Sequence, residues 1–283
     1  MKKDQTPERR SVLRIAAGLG ALATAGLLVT EGTGEQAAAP KAGPVGAGAP
    51  AAGAPGTSAH RVRASAYRLQ PMTTVPQRAR RTRPPVREHP FLSLPAEGRS
   101  MFLTFDDGPD PNYTPDILTT LRRYGVPAMF FVCGEMVAQQ RDLLRQMSED
   151  GHVIGNHTWS HPLMPSLSAA RIRSEMGRTS DAVEGVLGHP PLWYRAPFGA
   201  WNRLSFQVGA ELGMEPLGWT VDTLDWTEPG AGTIVSRVLD GAGPGVVVLS
   251  HDAGGDRSQS VSALRNYLPK LLDAGYRITV PQR

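Results

Sequence analysis

From residue 100 onward, short apolar runs alternate with longer stretches of helical spacing. This alternation constrains the fold more than any other feature of the chain. The strand-like runs are 101–105, 128–132, 153–155, 192–195, 215–219, 246–250 and 276–280. Each is short and bounded by turn residues, as strands of a buried sheet are. Between them, 115–124, 137–150, 168–187, 205–212, 231–239 and 258–274 read as helices; Ile117, Leu118 and Leu121 give the first its apolar face. Ser168 and Ser205 are expected N-caps, and Gly151, Gly188, Gly213 and Gly275 expected C-terminal stops. Strands alternating with helices imply βα units around a parallel sheet. About seven units imply a closed or nearly closed barrel. A doubly wound open sheet is the alternative, but no Gly-x-Gly-x-x-Gly follows the first strand.

The residues before this domain are of another kind. Lys2, Lys3, Arg9, Arg10 and Arg14 flank a run of apolar and small residues at 15–29, too short and too rich in Gly and Ala for a spanning helix. Arg9-Arg10-Ser11-Val12-Leu13-Arg14 resembles the twin-arginine export signal, from which Glu8 and Val12 depart. Ala37-Ala38-Ala39 offers a cleavage site, although Pro40 disfavours it, so an uncleaved membrane anchor stays open. Residues 1–39 are therefore expected to be an export signal, and the protein to be secreted or held in the cell envelope. Residues 40–97 are expected to form a disordered linker, first rich in Ala, Gly and Pro and then in Arg. Such an arm suits a tether to anionic wall polymers or lipid headgroups.

Charge follows the same division. Residues 1–99 carry 15 Lys and Arg against 6 Asp and Glu, and residues 100–283 carry 15 against 20. The high pI thus belongs to the arm, which excludes a nucleic-acid-binding domain with a basic folded face. Cys133, the single cysteine, lies in an apolar run and reads as a core residue. A monomer is expected.

Five polar clusters fall just after strand-like runs, where a βα barrel builds its active site. Asp106-Asp107-Gly108-Pro109 ends the first run. On an extended chain its two carboxylates would point in opposite directions and serve different roles. His157-Thr158-Trp159-Ser160-His161 follows the third, with histidines on one side if the segment turns helically. Together with Asp107 they form a two-nitrogen, one-oxygen set suited to catalytic Zn²⁺, or to non-haem Fe(II). Arg195-Ala196-Pro197-Phe198-Gly199 supplies a guanidinium for a bidentate grip on a carboxylate and a turn that can aim an N–H. Asp222-Thr223-Leu224-Asp225-Trp226 is the fourth cluster. Leu249-Ser250-His251-Asp252, the fifth, offers a histidine for general acid work.

These five stretches, in this order, resemble the motifs of the polysaccharide deacetylase family, the NodB-homology domain of carbohydrate esterase family 4, over residues 98–283. The resemblance implies an α/β fold, a distorted (β/α) barrel of seven to eight units. It implies Asp106 as general base, Asp107, His157 and His161 as metal ligands, and Arg195 holding Asp106. The Phe198 N–H would face the oxyanion. Asp225 would tune His251, the acid for the leaving amine, and Trp226, Leu249 and Phe198 would contact substrate. The ion would be divalent, zinc first, with cobalt, nickel or manganese able to replace it. The implied reaction removes N-acetyl groups from an N-acetylglucosamine polysaccharide and releases acetate. Export and the basic arm favour peptidoglycan. Chitin or chitooligosaccharide de-N-acetylation, acetylxylan esterase activity and a non-catalytic wall-glycan-binding protein are the alternatives.

Overall fold

The computed structural model describes residues 83–281. The expected export signal and most of the expected linker lie outside the described residues.

The domain is built on a parallel sheet. Its strands are β1 (Ser100–Asp106), β2 (Met129–Val132), β3 (Val153–Asn156), β4 (Trp193–Tyr194), β5 (Glu215–Pro216), β6 (Val221–Asp222), β7 (Val247–His251) and β8 (Arg277–Ile278). The spatial order is β5-β4-β3-β2-β1-β7-β6, with β8 pairing alongside the start of β1. The connecting helices are α1 (Thr114–Tyr124), α2 (Gly134–Gln139), α3 (Arg141–Glu149), α4 (Ala169–Leu187), α5 (Arg203–Glu211), α6 (Ala231–Asp240) and α7 (Ser258–Asp273). The result is the distorted (β/α) barrel of the sequence expectation.

The period-two pattern of each strand divides the core into two layers. On β1, Met101, Leu103 and Phe105 face outward, packing with Ile117, Leu118 and Leu121 of α1 and Leu264, Leu268 and Leu271 of α7. Phe102 faces the barrel interior with Met129, Phe131, Leu217 and Val247. Thr104 and Asp106 share the face of Phe102, so a buried carboxylate ends the inward row. The registers Asp106↔Phe131 and Asp106↔His251 place that carboxylate between β2 and β7.

The barrel has a seam. β5 and β6 are consecutive in the chain but stand at opposite ends of the sheet, and residues 217–220 join them without pairing them. A strap at the domain's N-terminus covers the opening. Phe91 donates its N–H to Pro216 O (3.0 Å) and accepts from Gly218 N (2.7 Å). Two residues on, Ser93 bridges to Val246, and Leu94 N donates to Gly245 O (3.1 Å). Arg87 grips Glu215 through Nε and Nη2, both at 2.9 Å. This corrects the expected boundary at residue 98. Residues 87–94 follow a Pro- and Arg-rich stretch and look like its continuation, yet they saturate edges that would otherwise stay open.

Local sequence explains most of the element boundaries, and the departures have physical causes. Ser168 caps α4 by accepting from Arg171 N, and Gly188 ends that helix at φ 79°. The cap of α5 is Asn202 rather than Ser205; Ser205 sits at the third helical position and completes a capping box. The helix expected over 137–150 is two, broken at Gln140, whose backbone leaves the helical region at φ −123°, ψ 46°. The runs at 192–195 and 215–219 shorten to two-residue strands, and Pro216 has no N–H for a further partner. β6 is too short for any periodic signal.

Candidate active site

The C-terminal ends of β1, β3, β4, β6 and β7 bring the five clusters to one rim. β1 delivers Asp106 inward in regular strand geometry. Asp107 then leaves the strand at φ 79°, its N–H held by Phe131 O (3.1 Å). That left-handed turn replaces the opposite-facing arrangement expected of an extended pair. Both carboxylates face His157, whose Nε2 lies 3.4 Å from Asp107 Oδ1 and 3.7 Å from Asp106 Oδ2. A non-glycine residue in this conformation costs about 1–2 kcal/mol, so its surroundings must hold it there. Asp252 does so in part: its fully buried carboxylate accepts from Gly108 N (3.2 Å) and Thr114 Oγ1 (2.5 Å). Burial, with Asp107 and Asp106 nearby, raises the Asp252 carboxyl to about 7, against the lowering effect of those two donors.

The histidine loop follows β3. It is not helical, as the i, i+4 spacing suggested; Thr158 and His161 both take positive φ, at 68° and 54°. The folded-back loop still sets His161 Nε2 3.4 Å from Asp107 Oδ1. His157 Nδ1 lies 2.9 Å from Arg195 O. A carbonyl only accepts, so Nδ1 carries a proton and Nε2 is the nitrogen turned towards Asp107. Burial, ahead of the neighbouring His157, lowers the His161 pKa.

These atoms fit a divalent cation. Asp107 Oδ1 is buried and no donor reaches it. It and one nitrogen from each histidine lie within 4.8 Å of one another. Two ligands about 2.1 Å from a tetrahedral ion stand about 3.4 Å apart, the spacing found from Asp107 Oδ1 to each histidine nitrogen. Burial acts to raise the Asp107 carboxyl, but His157, His251 and His161 outweigh it and hold it at about 2. Oxygen with two imidazoles is a donor set for a divalent ion with positions left open.

Arg195, at the end of β4, is fully buried in the barrel interior. The expected bidentate grip is instead single: Nη1 reaches Asp106 Oδ1 at 2.6 Å and Thr104 Oγ1 at 2.8 Å. The remaining donors serve the seam, Nε to Leu217 O (3.0 Å) and Nη2 to Gly218 O (2.8 Å). Arg195 therefore orients Asp106 and also satisfies carbonyls that the unpaired edges leave over. The Phe131 ring lies against its guanidinium, with Cζ 4.2 Å from the ring centroid.

His251 ends β7 beside Asp106. Its Nδ1 is 2.6 Å from Asp225 Oδ1, and its own N–H donates to Asp225 Oδ2 (2.9 Å). Ser260 Oγ on α7 donates to the same Oδ2 at 2.6 Å. Burial acts to lower the His251 pKa, but Asp225, with Asp106 and Asp107, raises it to about 9. The imidazolium is thus the form favoured at neutral pH.

Phe198 has φ 59° in a 3₁₀ turn where Gly199 and Ala200 donate to the Ala196 and Pro197 carbonyls. Its ring is exposed and meets His161 edge-on at 4.5 Å. Trp226 is also exposed, whereas Leu249 is 4% exposed. Leu249 therefore forms part of the floor beneath His251 rather than the open contact surface its assignment implied. Cys133 is buried and its thiol is pushed up by burial and the nearby carboxylates, as a core cysteine's would be. Thr104, Thr114, Asp252 and Ser260 support the site and were given no role from the sequence. Only Asp252 carried a signal, its place beside His251.

A carboxylate and two histidines poised for a cation, with a paired acid and base beside them on a (β/α) rim, define a hydrolase of the metal-assisted kind. The family described as Polysaccharide deacetylase matches residues 94–217. A chitooligosaccharide deacetylase of Bradyrhizobium sp. (strain ANU 289) is 40% identical over 192 residues, covering 64% of this chain and 88% of that protein. A peptidoglycan-N-acetylglucosamine deacetylase of Bacillus cereus is 38% identical over 192 residues, covering 67% and 90%. Among solved structures, the Bc1960 peptidoglycan N-acetylglucosamine deacetylase matches with a TM-score of 0.64 at 34% identity, covering 68% of this chain and 94% of that one. The chain belongs to the polysaccharide deacetylase family.

Proposed function

We propose that the protein is a zinc-dependent hydrolase that removes N-acetyl groups from N-acetylglucosamine residues of peptidoglycan at the cell envelope. The observation that carries this reading is the convergence of Asp107, His157 and His161 within 4.8 Å of one another, with Asp106 and His251 paired across adjacent strands beside them. Similarity to peptidoglycan and chitooligosaccharide deacetylases supports the substrate class. The export-signal pattern and basic arm favour the wall polymer over chitin fragments.

A divalent ion in this site supplies Lewis-acid polarisation of the acetyl carbonyl and a more acidic water. The chain's own residues do the rest. Asp106, held in place by Arg195 Nη1, takes the proton of the attacking water. The Phe198 N–H faces the developing oxyanion, a contact worth about 3 kcal/mol in comparable sites. His251, charged through its pairing with Asp225, protonates the leaving nitrogen, since an amide anion does not depart unaided. Trp226 and Phe198 present exposed rings on which sugar faces can stack.

Acetate release should be measured on peptidoglycan, chitin oligomers and acetylxylan, each with added Zn²⁺ and with chelator. Peptidoglycan is expected to release most, with loss on chelation and recovery on adding zinc. Faster release from chitin oligomers or acetylxylan would reassign the substrate. Glycan binding without acetate from any polymer would replace the enzyme reading with that of a wall-binding protein. Recovery of the protein only from the cytoplasmic fraction of its native cell would overturn the envelope location.

A further inference from the structure

We infer that Glu175, in the middle of α4, is the positioning residue for the metal-ligand loop, acting as a clamp on the backbone between the two histidines. The inference rests on the metal reading above. Glu175 is a fully buried carboxylate, and nothing in the sequence separates it from the many acidic residues on helices. Its Oε2 accepts from Trp159 N (3.0 Å), Ser160 N (2.9 Å) and Ser160 Oγ (3.2 Å). Oε1 faces Arg171 Nη2 at 3.0 Å, one helical turn back. A buried carboxylate must have its acceptors filled; here two of the fillers are the loop's own N–H groups.

The opposite side of the loop is held as firmly. The first N–H groups of α2 have no partner within their helix. Gly134 N donates to Thr158 O (3.0 Å) and Glu135 N to Trp159 O (3.1 Å). Asn156 Oδ1 takes Thr158 N at 2.8 Å, and Arg178, a further turn along α4, covers the Trp159 ring at 3.9 Å. A Cβ on Gly134 would lie 2.3 Å from Trp159 Cε3, so α2 itself is pressed against the loop.

The loop needs such a clamp because Thr158 and His161 both occupy a backbone region that L residues rarely adopt. Without Glu175, two adjacent N–H groups lose their acceptor, and the loop can relax towards ordinary dihedrals. His161 stands at the far end of that relaxation and is the more exposed of the two histidines. Its Nε2 would swing away from Asp107 first. Metal affinity is therefore the property that Glu175 controls.

The test is the zinc Kd of the full chain, measured by competition with a chelating fluorescent indicator well below the unfolding temperature. Near-UV circular dichroism serves as the check of fold. Glu175→Ala is expected to weaken zinc binding about 10- to 100-fold, the usual effect of losing an outer-shell partner. Glu175→Gln keeps an oxygen for both N–H groups and should stay within about threefold of the parent. A purely structural role would lower the melting temperature of zinc-free protein but leave Kd unchanged. That result in folded Glu175→Ala would overturn the inference, as would Glu175→Gln binding as weakly as Glu175→Ala. If the alanine variant does not fold, Glu175→Asp carries the test: one methylene shorter, it should bind zinc more weakly, and parental affinity would refute the clamp. A parent chain that holds no zinc would remove the metal reading itself and this inference with it.

Discussion

Replacing Arg195 by Met should cost the domain much of its stability even in zinc-free protein. The guanidinium is fully buried and makes four hydrogen bonds, to Asp106, Thr104, Leu217 and Gly218. Methionine fills part of the volume but donates nothing. Removing one partner of a buried ion pair costs about 3–5 kcal/mol, because the other charge is left uncompensated. The carbonyls of Leu217 and Gly218 lose their donors as well, each worth about 1–3 kcal/mol unless water replaces it. A loss of about 4 kcal/mol is therefore a conservative expectation, equivalent to about 8–16 °C in melting temperature for a domain of this size. Urea denaturation of chelator-treated protein, followed by circular dichroism, measures it. The cause can be separated by a double-mutant cycle with Asp106→Asn, which removes the stranded charge. A coupling energy above about 1 kcal/mol is expected. A loss below about 1 kcal/mol for Arg195→Met, or additive effects in the cycle, would refute the account of Arg195 as both counter-charge and seam filler.

His157→Ala should abolish zinc retention and acetate release together, as read by metal analysis of purified protein and by turnover. Asp106→Asn should retain the metal and lower kcat by about 10²- to 10⁴-fold, the range for a general base; near-parental turnover would move that role elsewhere. The His251 pKa, followed by NMR in zinc-free protein, should lie near 9 and fall clearly in Asp225→Asn, where the main raising partner is lost. Because the folded value is raised above the ordinary 6.5, the stabilisation from this pair is complete below about pH 6.5 and lost as pH climbs through about 9. Urea titrations at pH 6.5 and 9.5 should show that fall in the parent and a smaller one in the variant.

Much of this fold was legible because parallel strands buried on both faces announce themselves as apolar runs, and β1, β2, β3 and β7 are such runs. The edges were not. β5 and β6 are two residues each, and what holds them is Arg195, the loop 217–220 and a strap some 125 positions upstream, none of which leaves a periodic trace. At the site, the residue types were readable and their geometry was not. Asp106 and Asp107 face one centre only because Asp107 takes a positive φ, and His157 and His161 meet through a folded loop rather than a helical turn. The supporting groups, Glu175 and Ser260, sit on helices whose spacing reports only an amphipathic face. Their partners are chosen by tertiary contact, which a reading along the chain does not contain.

The position of β1 has a consequence for how the molecule comes into being. Its left-hand neighbour is made soon after it, but its right-hand neighbour, β7, must wait until residue 251 is available to meet residue 106. Contacts of such sequence separation are slow to close and give little reward until they do. The proposed proton acceptor and proton donor therefore come together only in a nearly complete polypeptide, and no nascent or proteolytic fragment lacking either end would be expected to turn over substrate.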